Sequence, residues 1–380
     1  MGRGFDVIVA GTGGMGVAAA AAIAGRGHRV LGLDRFPVGH ARGSSHGQTR
    51  LIRMAYFEHP DYVPLLRESA ALWRQAETAG GRRLLVTCGL LTAGPAEGEV
   101  VSGTLRSARV HGLAVDTLAP DEVLARWNAF RIPADWTAVH EPDAGYLLVE
   151  DCVATHAEIA RRAGADLRSS VTVRGWHIQA GRVAVDTDAG VFEADRLVLC
   201  PGGWAGDLLR LPAVPLTVLR KSLFWYAAAD AVATEQMPCF AFDTPAGFCY
   251  GFPALDARGV KIAEHTGGRR VNDPLTVDRG VDPAEQATIE TWIDSHLPAV
   301  SRRRTDHAVC LYTMSPDGHF VVGLHPAHPQ VAIAAGFSGH GYKFASVVGE
   351  ILADLALEGR TQHPIEFLSP QRFLTGKPET

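Results

Sequence analysis

Several residues of this 380-residue chain stand in patterns that could do chemistry. Gly11, Gly13 and Gly16 form a G-x-G-x-x-G run that follows the apolar stretch Phe5–Ala10 and opens the small-residue stretch Val17–Gly25. That spacing gives a tight turn, lets the backbone approach a pyrophosphate and packs a helix closely on a strand. Asp34, at the end of the next apolar run, can accept from a ribose hydroxyl, which disfavours a 2′-phosphate, although the adjacent Arg35 leaves NADP open. The glycine run alone does not separate FAD from NAD.

Two further sets involve fixed charge. Arg50 and Arg53 lie among Leu51, Ile52, Met54, Ala55 and Tyr56. On a helix the i, i+3 spacing puts both on one face, and the apolar neighbours point to a charged cavity rather than a solvated patch. Of the 36 basic residues only Lys221, Lys261, Lys343 and Lys377 are lysines. Unlike Arg, a Lys can be desolvated to a shifted pKa. Lys261 sits in Gly-Val-Lys-Ile-Ala, opposite Val260 and Ile262 on a strand, as a solvent-facing edge residue or a buried charge. Lys343 follows a Gly-rich turn at a helix start, where a cation opposes the helix dipole unless an anion is near.

The elements that must position these groups are legible in outline. Phe5–Ala10, the glycine turn, Val17–Gly25 and Arg29–Asp34 read as a βαβ unit. Ala154–Ala163 reads as a helix, Asp166–Val173, Arg196–Cys200 and Val331–Ala335 as strands, and Lys343–Leu357 as a helix after the turn GFSGHG. Gly43–Tyr56 reads as a loop leading into a helix. The stretches between, with aromatic runs such as SLFWY and GFCYGFP, read as antiparallel strands with intervening helices. The expected class is α/β: a Rossmann-like dinucleotide domain (1–83, 147–212, 314–380) interleaved with an α+β substrate domain on an antiparallel sheet (84–146, 213–313). Only the tail after Leu374 reads as loose.

Composition narrows the function classes. A formal charge of −5 gives no nucleic-acid surface. The six cysteines include no C-x-x-C pair, against a zinc ribbon or redox dithiol motif, and suit a reducing cytoplasm. Val7–Gly25 is free of charge, but its glycines would break a membrane helix, and Arg3 with Asp6 makes a poor signal-peptide start. His325 and His328, flanked by prolines, read as a surface loop rather than a metal pair. A cytoplasmic protein with no metal and no membrane partner is expected.

Together, the opening unit, GSSHGQTRLIRMAY at 43–56, GFPALDARGVKIAEHTGG at 251–268, AVCLYT at 308–313 and AAGFSGHGYKF at 334–344 resemble the monomeric sarcosine oxidase and N-methyltryptophan oxidase family. The resemblance runs collinearly over nearly the whole chain. It implies a monomeric flavoprotein amine oxidase that holds FAD covalently, oxidises a small amino acid substrate and passes electrons to O2, releasing hydrogen peroxide. It implies that Cys310 bonds the flavin, that Arg53 and Lys343 hold the substrate carboxylate, and that His46 and Arg50 sit by the flavin ring. Lys261 becomes the oxygen-activating lysine, His265 the histidine near the amine, and Tyr250 and Tyr312 the pocket aromatics. Cofactor contacts are implied for Gly11, Gly13, Gly14, Met15, Gly16, Asp34, Arg35, Ser44, Thr49, Arg50, Val173, Gly339 and Lys343. Ser45 and Met54 replace residues that are usually histidine in the family, and Ala241 stands where sarcosine-oxidising relatives carry a bulkier methionine, implying a roomier pocket. The expected reaction is oxidation of sarcosine or a bulkier N-methyl amino acid. Oxidation of a cyclic imino acid such as proline or pipecolate is the alternative, and a nucleotide-binding protein without turnover a weaker one.

Overall fold

The computed structural model describes residues 4–374, so Arg3, Lys377 and the tail after Leu374 lie outside the described residues. Its first sheet is built around Phe5–Ala10, which pairs in parallel with Val30–Leu33 on one side and Gly190–Leu199 on the other. Asp166–Arg168 extends it in parallel beyond Val30–Leu33, and His328–Ala335 beyond the C-terminal half of Gly190–Leu199. Antiparallel strands Val173–Gln179, Arg182–Thr187 and Val321–His325 complete its eight. Val7, Ile8 and Val9 are fully buried, as a strand covered on both faces requires.

The helix Gly14–Gly25 can lie close to its neighbours because its sequence is almost all Ala and Gly. It packs against Ala345–Glu358 and Val149–Arg162. At the first crossing a Cβ on Gly349 would come 2.7 Å from the Ala18 backbone, so small residues, rather than interdigitating large ones, set the helix separation.

A second, nine-stranded sheet runs Arg269–Arg270, Thr217–Ala228, Val260–Glu264, Gly247–Phe252, Cys239–Thr244, Leu90–Pro95, Trp136–Glu141 and Asp116–Leu118, with Val300–Met314 also paired to Thr217–Ala228. Its ladders are antiparallel except that Cys239–Thr244 and Leu90–Pro95 run in parallel. The expected antiparallel texture is thus present, with one exception. A small third sheet, Thr49–Ile52, Gly145–Leu148 and Leu85–Thr87, lies in sequence across the expected domain boundaries near 83 and 146.

Two local expectations are corrected. Arg50 lies on a strand, not a helix: Thr49–Ile52 pairs antiparallel with Gly145–Leu148, placing Arg50 opposite Leu147. His325 and His328 end the two strands of a hairpin rather than forming a surface loop, and His325 is buried with its ring edge-on to Trp176.

Candidate active site

A cavity of about 200 Å³ opens at the C-terminal ends of the parallel strands, the usual ligand position in such a sheet. One end is bare backbone. Gly11 has φ +94°, and a Cβ there would overlap the Cys200 carbonyl; at Gly14 a Cβ would come 2.7 Å from the Tyr342 ring. Gly16, behind the turn, leaves no room for a Cβ against the Gly11 carbonyl. Gly13, Gly14 and Met15 bring the start of the helix to the cavity wall, where Gly14 N–H donates to Ser45 Oγ at 3.0 Å. Such a terminus favours phosphate. The Asp34 carboxylate accepts from the Thr12 N–H (2.7 Å) and the Phe36 N–H (2.9 Å), which fixes it at the cavity wall.

Gly13, Met15, Arg35, Ser44 and Val173 line the same cavity, and its far end is bordered by Arg50, Cys310, Tyr312 and Gly339. Ser44 Oγ donates to the Leu311 carbonyl at 2.6 Å, tying this loop to the strand that bears Cys310. Arg50 donates to Cys310 Sγ at 3.3 Å, setting a permanent positive charge beside the sulfur. The bare glycine turn, the fixed acid and the apolar walls fit a dinucleotide such as FAD. In that case Gly11, Gly13, Gly14 and Asp34 would hold its nucleotide half, and Arg50, Cys310 and Gly339 its ring half.

A smaller cavity of about 60 Å³ adjoins it and shares Arg50, Tyr312, Gly339 and Tyr342. Arg53, Lys343, His265, Tyr250 and Ala241 all border this second space, so chain segments nearly 300 residues apart meet there. Sequence reasoning did not assign Leu51, Glu58, Phe248, His340 or Tyr342 to the site, and all five border this space. Glu58 accepts from Arg53 Nη2 through both oxygens, at 2.8 and 2.6 Å. Arg53 also donates to the Ala55 carbonyl and lies over the Tyr56 and Phe57 rings, at 4.2 and 4.6 Å. Nothing in the sequence marks Glu58; in the fold, Arg53 at 7% exposure requires a counter-charge, and Glu58 supplies it.

Charge in this cavity is finely set. Burial pushes the Glu58 carboxyl up, but Arg53, His340 and Lys343 outweigh it and bring it to about 2. Burial pushes the Lys343 ammonium down, Arg53 adds to that and Glu58 opposes it, leaving it at about 7. Lys343 Nζ donates to the His340 carbonyl at 2.7 Å and to Tyr56 Oη at 3.5 Å. His340 Nε2–H donates to the Gly318 carbonyl (3.1 Å), so Nδ1 accepts from Tyr56 Oη (2.6 Å). Burial also lowers His340 to about 4 and His265 to about 3, so both rings are neutral near pH 7. His265 Nδ1 lies 3.4 Å from Tyr312 Oη.

Four expected residues, Gly16 behind the turn and Thr49, His46 and Lys261, border neither cavity. Thr49 is fully buried below Arg50. His46 is 4% exposed, with Nε2 3.2 Å from the Gly43 carbonyl, and burial followed by Arg50 lowers it to about 4. It is therefore a neutral donor, and the charge set directly against Cys310 Sγ is that of Arg50. Lys261 is 1% exposed on an interior strand, so the edge-residue alternative is excluded. Its Nζ donates to the carbonyls of Gly47 (2.6 Å) and Thr49 (2.8 Å) and lies 4.8 Å from the Phe252 ring centre. Arg50 donates to that same Thr49 carbonyl at 2.8 Å, so one peptide oxygen separates the two cations. Burial, then Arg50, pushes the Lys261 ammonium well below its ordinary pKa.

Comparison with known proteins agrees with this geometry. Residues 6–355 match the FAD dependent oxidoreductase family (DAO). The monomeric sarcosine oxidase of Streptomyces avermitilis is 40% identical over 97% of this chain and 98% of that protein. The N-methyl-L-tryptophan oxidase of Yersinia pestis (strain Pestoides F) is 32% identical over 97% and 99%. Among solved structures, NikD, an unusual amino acid oxidase essential for nikkomycin biosynthesis, superposes with a TM-score of 0.86 at 28% identity, covering 97% of this chain and 98% of that one.

Proposed function

This chain belongs to the FAD dependent oxidoreductase family, and we propose that it oxidises an N-methyl amino acid, sarcosine or a bulkier relative, with O2 as acceptor. The observation that carries this reading is a charge deficit. Arg50, Arg53 and Lys343 face the smaller cavity, which holds a single carboxylate, Glu58, so a substrate carboxylate completes the balance. The forked guanidinium of Arg53 suits bidentate binding once Glu58 yields, and protonated Lys343 adds a second donor.

When bound, FAD supplies the two-electron acceptor for the amine and hands the electrons to O2. The chain's part is to hold the carboxylate, exclude water with Tyr250, Phe248 and Tyr312, and favour the neutral amine. An ammonium has no lone pair to stabilise the iminium, and Arg50, Arg53 and Lys343 disfavour positive charge on the bound nitrogen. Neutral His265 can accept a hydrogen bond from that amine. The imine is then hydrolysed by water, with release of formaldehyde if an N-methyl group reacted. Lys261 and Arg50 supply the positive field in which electrons reach O2.

Covalent attachment of FAD through Cys310 is part of the proposal, supported by the cavity-lining position of Cys310 and the Arg50 contact. So are the expected domain division, a monomeric state in line with the naming of its relatives, and a cytoplasmic location, which suits cysteines that stand as free thiols among the described residues. No helix among the described residues is long and apolar enough to cross a membrane. The test is a visible spectrum of purified protein before and after acid precipitation. Flavin colour should stay with the pellet and be lost from it in Cys310→Ala. A peroxide-coupled assay with sarcosine and larger N-methyl amino acids should then give formaldehyde. Turnover of cyclic imino acids without formaldehyde would redirect the reading to ring oxidation.

A further inference from the structure

Cys88 and Cys239 play no part in the site described above, yet their sulfurs lie 3.6 Å apart. They are 151 residues apart in sequence and come together through the backbone. Cys88 and Gly89 N–H both donate to the Ala144 carbonyl, at 3.2 and 2.9 Å, and Cys239 N–H donates to the Gly89 carbonyl at 3.1 Å. Gly89 has φ +79°, a turn that brings the chain back onto the first residue of Cys239–Thr244. The two thiols differ in setting. Cys88 is partly exposed, whereas Cys239 is fully buried in the cluster that includes Ala241 and Tyr250.

We propose that Cys88 and Cys239 form a peroxide-reactive dithiol that closes to a disulfide, with Cys88 the attacked sulfur and Cys239 the resolving one. The source of peroxide rests on the oxidase reading; the chemistry of the pair does not. The Cys88 thiolate attacks one oxygen of H2O2, the O–O bond breaks, and the products are Cys88 sulfenic acid and hydroxide, which takes up a proton. The sulfur of Cys239 then displaces the sulfenic hydroxyl, its own proton leaves with that group as water, and the S–S bond forms. Two thiols are oxidised and one peroxide is reduced to two waters. The sulfurs need only close from 3.6 Å to the ~2 Å of an S–S bond. The settings fit the division of roles: contact with the Cys239 thiol, and the charge of Arg83, lower the Cys88 pKa against its partial burial, while burial raises that of Cys239. Access from solvent belongs to the sulfur that has to meet peroxide first.

The test uses holoenzyme without amine substrate, treated with added H2O2 and mapped by non-reducing peptide mass spectrometry. The expected result is a linked Cys88–Cys239 peptide about 2 Da below the sum of its parts, reversed by a thiol reductant. Cys239→Ser should leave Cys88 as a sulfenic acid captured by dimedone, and Cys88→Ser should leave Cys239 a thiol. Cys88 passing to the sulfinic acid with Cys239 still reduced, or both thiols surviving, would overturn the proposal. A parallel arm replaces added peroxide by turnover of sarcosine with and without catalase. Linkage under added peroxide but not under turnover counts against the peroxide source alone and leaves the dithiol standing.

Discussion

Replacing Glu58 by Gln tests how the smaller cavity is held ready for a carboxylate. In the structure Glu58 occupies Arg53 through both of its oxygens, with the two side chains 15% and 8% exposed. A carboxylate ligand that uses Arg53 must first release that pair. A charge-assisted hydrogen bond is worth about 1.5–3 kcal/mol net, and Gln keeps the shape but not the charge. At about 1.4 kcal/mol per factor of ten, Glu58→Gln should tighten a non-oxidisable carboxylate such as methoxyacetate by about ten- to a hundredfold. Lys343 sets the pH at which this shows. Glu58 helps to hold the Lys343 ammonium up at about 7, so its removal lowers Lys343 further. The full gain belongs on the acid side of the lowered Lys343 value and should shrink as pH rises towards 8, where binding has to reprotonate the lysine. Titration followed by flavin absorbance reads both numbers, and a melting curve checks that the variant is folded. Equal or weaker binding by the variant at the acid end of the profile, where Lys343 is protonated in both forms, would refute the competition argument.

Other outcomes follow from the same contacts. In the wild type, carboxylate affinity should fall as pH rises through about 7, because Lys343 loses its proton there while His265 and His340 are already neutral; Lys343→Met should bind more weakly and flatten that profile. Lys261→Met should slow reoxidation by O2 far more than anaerobic reduction in stopped-flow traces, and equal losses in both would remove its assignment. Gly16→Ala drives a Cβ into the Gly11 carbonyl and should cost about 1–3 kcal/mol, seen as a lower melting temperature and poor FAD retention. Ala241→Met should raise KM for bulky N-methyl amino acids relative to sarcosine, and no change in that ratio would take Ala241 out of the substrate cavity.

The parts legible in the sequence are those governed by nearby residues. The strand–glycine–helix–strand unit lies within about the first 34 positions, and its glycines are required by backbone geometry that any reader of the chain can anticipate. The family resemblance points to Arg53, Lys343, His265 and Tyr312, which the fold brings to one cavity. Local spacing misplaces Arg50 because pairing with Gly145–Leu148, almost a hundred residues away, overrides the helical pattern. Glu58 is invisible as a site residue because nothing in its own neighbours marks it; only the folded cavity shows it clasping Arg53.

Protonation is decided later still. By itself the sequence determined which chemical groups exist and how the first βαβ unit turns, since those depend on composition and short-range sterics. Only the tertiary structure decided that His46 is neutral, that Lys261 is spent on the carbonyls of Gly47 and Thr49, and that Lys343 is poised near 7. The reason is physical: desolvation and charge–charge coupling depend on atoms within a few ångströms, and here those atoms come from strands and turns hundreds of positions apart.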